Sequence, residues 1–254
     1  MATSEALQSD ERIFFRNLAT VMAITQLAGF VVQFAMGRSS FDAPLIVHLH
    51  AVAFMGWVAI FLAQPWLAQS GAMSLHRQLG RMAIVWAFGL LALGVAVTWA
   101  SVTSGRTPFF FQPQHFLLAN PITLLSALGL FAAAVAVRRQ QDWHVRLQIG
   151  SFALLMGPGF GRLLPMPLLT PYAFEIASIA GLAFVAFAAG RDAWVQKRVH
   201  PAWLWPVIAL VVSLLLARLL AGTPIGADLY AAAVANTAAA GSNGMAFPPP
   251  PPLP

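Results

Sequence analysis

The chain has 254 residues, of which 59% are hydrophobic and only 9% charged, with a formal charge of +6 and no cysteine. Soluble domains carry about 25% charged residues, so the composition excludes an ordinary soluble domain and fits an integral membrane protein. The absence of cysteine excludes disulfides, iron–sulfur clusters and thiolate-held metals. The positive charge falls in short loops between apolar runs, which points to orientation in a bilayer and away from nucleic acid.

Seven apolar segments follow in chain order, over residues 13–36, 44–68, 77–103, 115–137, 146–165, 171–190 and 202–222. A helix needs about 20 apolar residues to cross a hydrocarbon core of about 30 Å, and each segment is close to that length. The first is preceded by Glu5, Asp10 and Glu11 in place of a basic leader, so it reads as a retained span and not as a cleaved signal. The expected fold is therefore all-α: a polytopic helix bundle over 1–222 with about seven transmembrane helices. Residues 223–254 are rich in alanine and proline and end in a run from Pro248 to Pro252. They read as a disordered tail, extended at its prolines, that offers a protein partner a docking segment.

Basic residues divide unevenly between the two sets of loops. One set holds Arg12, Arg16, Arg77, Arg81, Arg138, Arg139, Arg146, Arg191, Lys197 and Arg198; the other side holds Arg38, Arg106, Arg162 and Arg218. Ten against four predicts an inner-membrane topology with a cytoplasmic N-terminus and the C-terminus on the outer side. Lipid is then the surrounding partner.

Five histidines sit near the ends of the apolar segments, and the ends alternate: His48 and His50, His76, His115, His144. Ionisable groups at membrane level are costly and are usually placed there for function. By topology His48, His50 and His115 lie toward the outer face, His76 and His144 toward the cytoplasmic face. His48 and His50 are about 200° apart around a helix, so only one of them can face a given interior site. Imidazoles from facing helices can take the axial positions of a haem iron, or bind copper or zinc. Gly56 and Gly80 would leave room for a macrocycle, and Arg77, Arg81 and Arg146 stand at the level of its propionates. Arginines at a cytoplasmic helix end also have the ordinary role of meeting headgroups. His115 precedes Asn120-Pro121, and a fourth helix that begins only at Pro121 would leave it in a loop.

The runs Leu75-His76-Arg77-Gln78-Leu79-Gly80-Arg81 and Asp142-Trp143-His144-Val145-Arg146 resemble helix starts in a family of bacterial multi-pass membrane proteins of uncharacterised function. More weakly, the second to fifth segments resemble the two-haem transmembrane cytochromes b of the ascorbate-reducible type. That second resemblance implies a four-helix core formed by helices two to five, haem b as cofactor, His48 or His50 paired with His115, His76 paired with His144, and electron exchange with a donor and acceptor that the sequence does not name.

A rival, non-redox reading makes the chain a transporter-like binder or an assembly subunit. It rests on Glu175, read as the one acid well inside a span, and on Met156-Gly157-Pro158-Gly159-Phe160-Gly161-Arg162, which should break the fifth helix. Arg162 and Glu175 are expected to form a structural ion pair. No phosphate loop, Ser–His–Asp arrangement or zinc-protease motif is present, so hydrolytic catalysis has no support.

Overall fold

A computed structural model describes residues 2–38 and 41–250, with side chains from Ser9 onward. Among the described residues ten α-helices follow one another: α1 (Ala2–Ala35), α2 (Leu45–Gln69), α3 (Met73–Thr103), α4 (Pro113–Ala136), α5 (Gln141–Leu154), α6 (Gly157–Leu163), α7 (Ala173–Ala180), α8 (Leu182–Gln196), α9 (Leu204–Ala221) and α10 (Pro224–Val234). No strand occurs among the described residues. Among the described residues six helical stretches are long and apolar enough to cross a membrane: Ser9–Ala35, Leu45–Gln69, Met73–Thr103, Pro113–Ala136, Ala173–Gln196 and Pro201–Ala221. The fold is a polytopic helical bundle, and the protein is an integral membrane protein.

The outside of the bundle, like its inside, carries many large apolar side chains. Along α9, Leu210, Ser213, Leu214 and Ala217 are buried, whereas Val207, Ile208, Val211, Val212, Leu215 and Leu219 are exposed. Such a continuous apolar surface is incompatible with water contact on this scale, and helices satisfy their own backbone within lipid. Polar groups go inward instead. Gln26, Thr98, Gln114, Thr123, Ser151 and Ser213 are all buried, and Ser213 meets Ser126 at 2.6 Å while Ser151 donates to the Ala127 carbonyl at 2.7 Å. These are the interhelical hydrogen bonds that lipid favours.

Neighbours in sequence pack as neighbours in space: α1 with α2, α2 with α3, α3 with α4, α4 with α5. The chain reverses at Gly71 and Gly105, both with positive φ, a conformation glycine adopts at no steric cost. Helix α4 also packs on α9, so the core extends beyond helices two to five. Pro206 of α9 lies where a side-chain carbon on Gly150 of α5 would come within 2.8 Å.

The fourth and fifth segments differ from expectation in opposite senses. Helix α4 begins at Pro113 and runs through Pro121, so His115 belongs to its first turn and not to a loop. Two residues beyond the proline, the Thr123 hydroxyl bonds the carbonyls of Ala119 and Asn120. The fifth segment is broken, as its glycines and proline predict. Proline at position 158 has no N–H and its ring excludes the carbonyl four residues back, so α5 ends at Leu154 and α6 restarts at Gly157. Short α6 then lies against α1.

The tail corrects the expectation of disorder over 223–254. Thr223 caps α10 by accepting from the Gly226 N–H at 3.2 Å. Beyond it the chain folds back onto the ends of α3 and α4. Ala239 N–H donates to the Thr103 carbonyl, Gln114 N–H to the Gly244 carbonyl, and the Gln112 amide to the Met245 carbonyl at 2.6 Å. Val102, Tyr230, Val234 and Ala239 form a small buried cluster. Alanine-rich sequence alone gives no periodic signal, but one tyrosine and one valine on the inner face of α10 suffice to anchor it. Pro248–Pro250 carry no regular structure, and the last four residues, including Pro251 and Pro252, lie outside the described residues. Replacing Tyr230, 4% exposed, by alanine is expected to remove on the order of 3 kcal/mol of docking. Faster hydrogen exchange over residues 235–246, with the helices unchanged, would show it.

Candidate functional site

His76 and His144 each occupy the first turn of their helix, α3 and α5, at the end of the bundle that carries most of the arginines. Helix α3 packs chiefly on α2 and α4, and α5 on α4, α8 and α9, yet the two imidazoles meet, with ring centroids 6.5 Å apart and planes at 77°. The Nδ1 atom of His144 lies 2.8 Å from the Ala134 carbonyl, and that of His76 lies 3.2 Å from the Gln64 carbonyl. A ring nitrogen beside a carbonyl must be the protonated one, which leaves Nε2 of each ring with its lone pair. Imidazoles that ligate metals are typically oriented by such a bond from the other nitrogen. Turned with its amide nitrogen toward His76, the Gln64 side chain would instead donate to Nδ1 at 2.7 Å, a competing arrangement that favours the other tautomer.

Arg77 and Arg81 are exposed beside His76 and hold no ion pair among the described residues. Arg146 is different. It is 1% exposed and bound in bidentate fashion to Asp192, with Nε to Oδ2 at 2.8 Å and Nη2 to Oδ1 at 3.0 Å. Nη2 also donates to Glu11 at 2.8 Å, Nη1 to the Asp142 carbonyl at 3.1 Å, and the Trp203 indole N–H donates to Asp192 at 2.8 Å. Its guanidinium is thus committed to tying α1, α5, α8 and the turn before α9 together, leaving Arg77 and Arg81 as the arginines free for an external carboxylate. Asp192 is wholly buried, so Glu175 is not the one acid within the bundle.

At the opposite end the histidines have separate neighbours. His48 places Nε2 3.1 Å from the Phe41 carbonyl, facing the preceding loop. His50 stacks on Phe54, and its Nδ1 is buried with no hydrogen-bond partner. His115 is buried against Phe174, with ring centroids 5.5 Å apart, and its Nε2 lies 3.8 Å from Glu175 Oε1. The structure therefore brings His115 to Glu175. The expected Arg162–Glu175 pair is replaced: Glu175 takes Arg218, which also reaches Gln112 at 3.3 Å. Arg162 instead lies over the Phe30 ring at 4.1 Å and donates to the Pro158 carbonyl. Short α6 packs on α1, and that turns Arg162 toward Phe30.

The room expected above two glycines is filled. The Trp86 indole covers Gly56 and donates to the Ala53 carbonyl at 2.8 Å, and the Gln64 amide stands 3.4 Å from where a side-chain carbon on Gly80 would lie. The first is a packed aromatic contact. The second is a single flexible side chain.

Sequence reasoning missed Asp192, Glu11 and Trp203 as partners of Arg146, Arg218 as the partner of Glu175, and Gln64 beside His76. Only Arg218 carried a usable signal, because the charge count placed it at the same end as Glu175. Among the described residues no group of three or more His, Asp or Glu side chains converges as a metal-binding cluster. Comparison of the chain with protein-family models, with curated proteins and with solved structures found no match in any of the three.

Proposed function

We propose that this membrane protein binds a b-type haem between His76 and His144 and serves in transmembrane electron transfer, with the arginine-rich end in the cytoplasm of a bacterial inner membrane. The observation that carries the reading is the meeting of two imidazoles from separate helices, each with Nδ1 against a backbone carbonyl. With ring centroids 6.5 Å apart, the two imidazoles are near enough for both to bind one metal ion. The donor set argues for haem over zinc or copper. Two protein nitrogens fall short of the three or four protein ligands that zinc sites take, whereas a porphyrin supplies four nitrogens itself. The haem would provide a reversible one-electron centre. The chain's own residues would hold it: His76 and His144 as iron ligands, Ala134 and Gln64 carbonyls fixing their tautomers, and Arg77 and Arg81 pairing with propionates.

The test is a reduced-minus-oxidised absorption spectrum of protein purified after expression with ample haem supply. A Soret band is expected, lost in His76→Ala and in His144→Ala. Its absence from the wild type would overturn the reading. Gln64→Leu removes the competing amide donor but keeps the carbonyl, so it should retain haem; loss of the Soret band in that variant would mean the side chain sets the ligand tautomer.

The non-redox reading draws on one observation of its own. Both amide atoms of Gln26 are buried without partners beside the break between α5 and α6, and broken helices line binding sites in transporters. A colourless wild type whose function survives alanine at His48, His50, His76, His115 and His144 but not at Gln26 would favour it.

A further inference from the structure

Helices α1 and α8 both pack on α5, and between them runs a furrow of about 490 Å³ lined by Phe14, Ala186, Phe187, Gly190, Arg191 and Trp194. Its volume falls within the range of about 300–1,000 Å³ usual for ligand sites. Apart from Phe14 the lining comes from one face of α8, since residues four apart on a helix lie one above the other. The furrow is open to its surroundings: Phe187 is 63% exposed and Trp194 80%. Gly190 adds room, because a side-chain carbon there would meet nothing within 4 Å.

Depth follows from the two spans. Phe14 lies five residues inside the Ser9–Ala35 stretch, and Arg191 lies five residues before the end of Ala173–Gln196, about 7–8 Å from either end at 1.5 Å per residue. Trp194 is nearer the end, where tryptophan meets headgroups, and Ala186 and Phe187 lie deeper. A cation above and apolar side chains below match the order of groups along a phospholipid.

Arg191 selects the charge of the occupant. Its guanidinium lies 4.2 Å from the centre of the Phe14 ring. Among the described residues it makes no hydrogen bond or ion pair with protein, so its planar fork of donors is unused. Arg16 shows the contrast: it lies over Trp66 in a similar way, at 4.6 Å, but its donors are taken by Asn17 and Gln69. Asp192, next to Arg191, is turned inward to Arg146, which also holds Glu11. Asp10, one turn beyond Phe14, forms no ion pair with Arg191. Lys197 and Arg198 follow, exposed, with the Lys197 ammonium 5.7 Å from the Trp194 ring centre. An unpaired cation at membrane level is costly, and basic pockets between helices at such a level suit anionic headgroups.

We propose that the furrow between α1 and α8 binds one anionic glycerophospholipid of the bilayer, its phosphate on the Arg191 guanidinium and an acyl chain laid along Gly190, Phe187 and Ala186. The guanidinium fork matches two phosphate oxygens. Lys197 adds the charge that favours a net-negative headgroup over a zwitterionic one. None of the residues assigned to haem takes part.

Native mass spectrometry of the full chain, delipidated in detergent, tests it by titration with dioleoylphosphatidylglycerol and, for comparison, dioleoylphosphatidylcholine. One phosphatidylglycerol is expected to bind at least fivefold more tightly than phosphatidylcholine. Arg191→Gln should abolish that preference, whereas Arg139→Gln, which removes an exposed arginine outside the furrow lining, should keep it. Gly190→Leu fills open space and should weaken phosphatidylglycerol binding at least fivefold without lowering the melting midpoint. Equal affinity for the two lipids in the wild type would overturn the proposal. So would a preference that survives Arg191→Gln, one that Arg139→Gln removes as well, or unchanged affinity in Gly190→Leu. Displacement of the lipid by an equal concentration of soluble glycerol phosphate would overturn it in favour of a free phosphate. The wild-type comparison decides the matter if a variant fails to fold. No readout involves haem, so failure here is distinguishable from a missing Soret band.

Discussion

Asp192→Ala is expected to destabilise the protein by roughly 3–5 kcal/mol, the usual cost of stripping one partner from a buried ion pair. Arg146 and Asp192 are 1% and 0% exposed, so the substitution leaves a guanidinium in the interior with Glu11 as its remaining acid. Two further contacts depend on the same carboxylate. The Trp203 indole N–H loses its acceptor, and the guanidinium, 5.3 Å above Phe15 and 5.9 Å from Trp203, loses the anchor that holds it between those rings. Thermal unfolding in detergent, followed by tryptophan fluorescence, should show a large fall in midpoint. The double variant Arg146→Met, Asp192→Leu is expected to recover most of it, because apolar replacement of a whole buried pair is often neutral. An Asp192→Ala variant that melts with the wild type would mean the four-element junction contributes little.

That junction also shows where sequence reading stops. Arg146 was legible as a basic residue at a helix end, and at that level it is equivalent to Arg77 and Arg81. Its partner lies 46 residues away, and nothing in local spacing says that α8 turns Asp192 inward while Arg191, the preceding residue, lies over Phe14. The six long helices were legible because bilayer thickness fixes their length, and the break near Gly157-Pro158 because proline acts locally. The ends on which histidines fall were legible for the same reason. Which imidazoles face each other was not, since that depends on helix rotation and on α3 and α5 meeting across the bundle. The Arg162–Glu175 expectation failed on proximity in sequence: α6 docks on α1 and carries Arg162 away, and Arg218, 43 residues from Glu175, arrives on α9. His115 lies in the first turn of α4, and its neighbour there is a carboxylate that the alternating pattern of histidines did not suggest.

Gly159→Val is expected to be nearly as damaging as loss of Asp192, through backbone contact and not charge. Helices α1 and α6 approach so closely that a side-chain carbon on Gly29 would lie 2.5 Å from the Gly159 carbonyl oxygen, and one on Gly159 would strike the Gln26 amide and come within 3.1 Å of its Cα. A flexible side chain can yield to such a clash, but helix backbone cannot, so α6 must move away from α1. Overpacking ordinarily costs about 1–3 kcal/mol, and a backbone clash with a β-branched residue belongs at the upper end. Glycines elsewhere predict the opposite sign. Gly89 in α3 and Gly129 in α4 have open space where a side chain would go, so alanine there should stabilise by about 0.5–1 kcal/mol through helix propensity alone. Melting midpoints of the three variants in one detergent make the comparison, with Gly159→Val well below the wild type and the two alanine variants at or above it. If Gly159→Val melts with the wild type, α6 is not docked on α1, Gln26 is not enclosed, and the non-redox reading loses the observation that favours it.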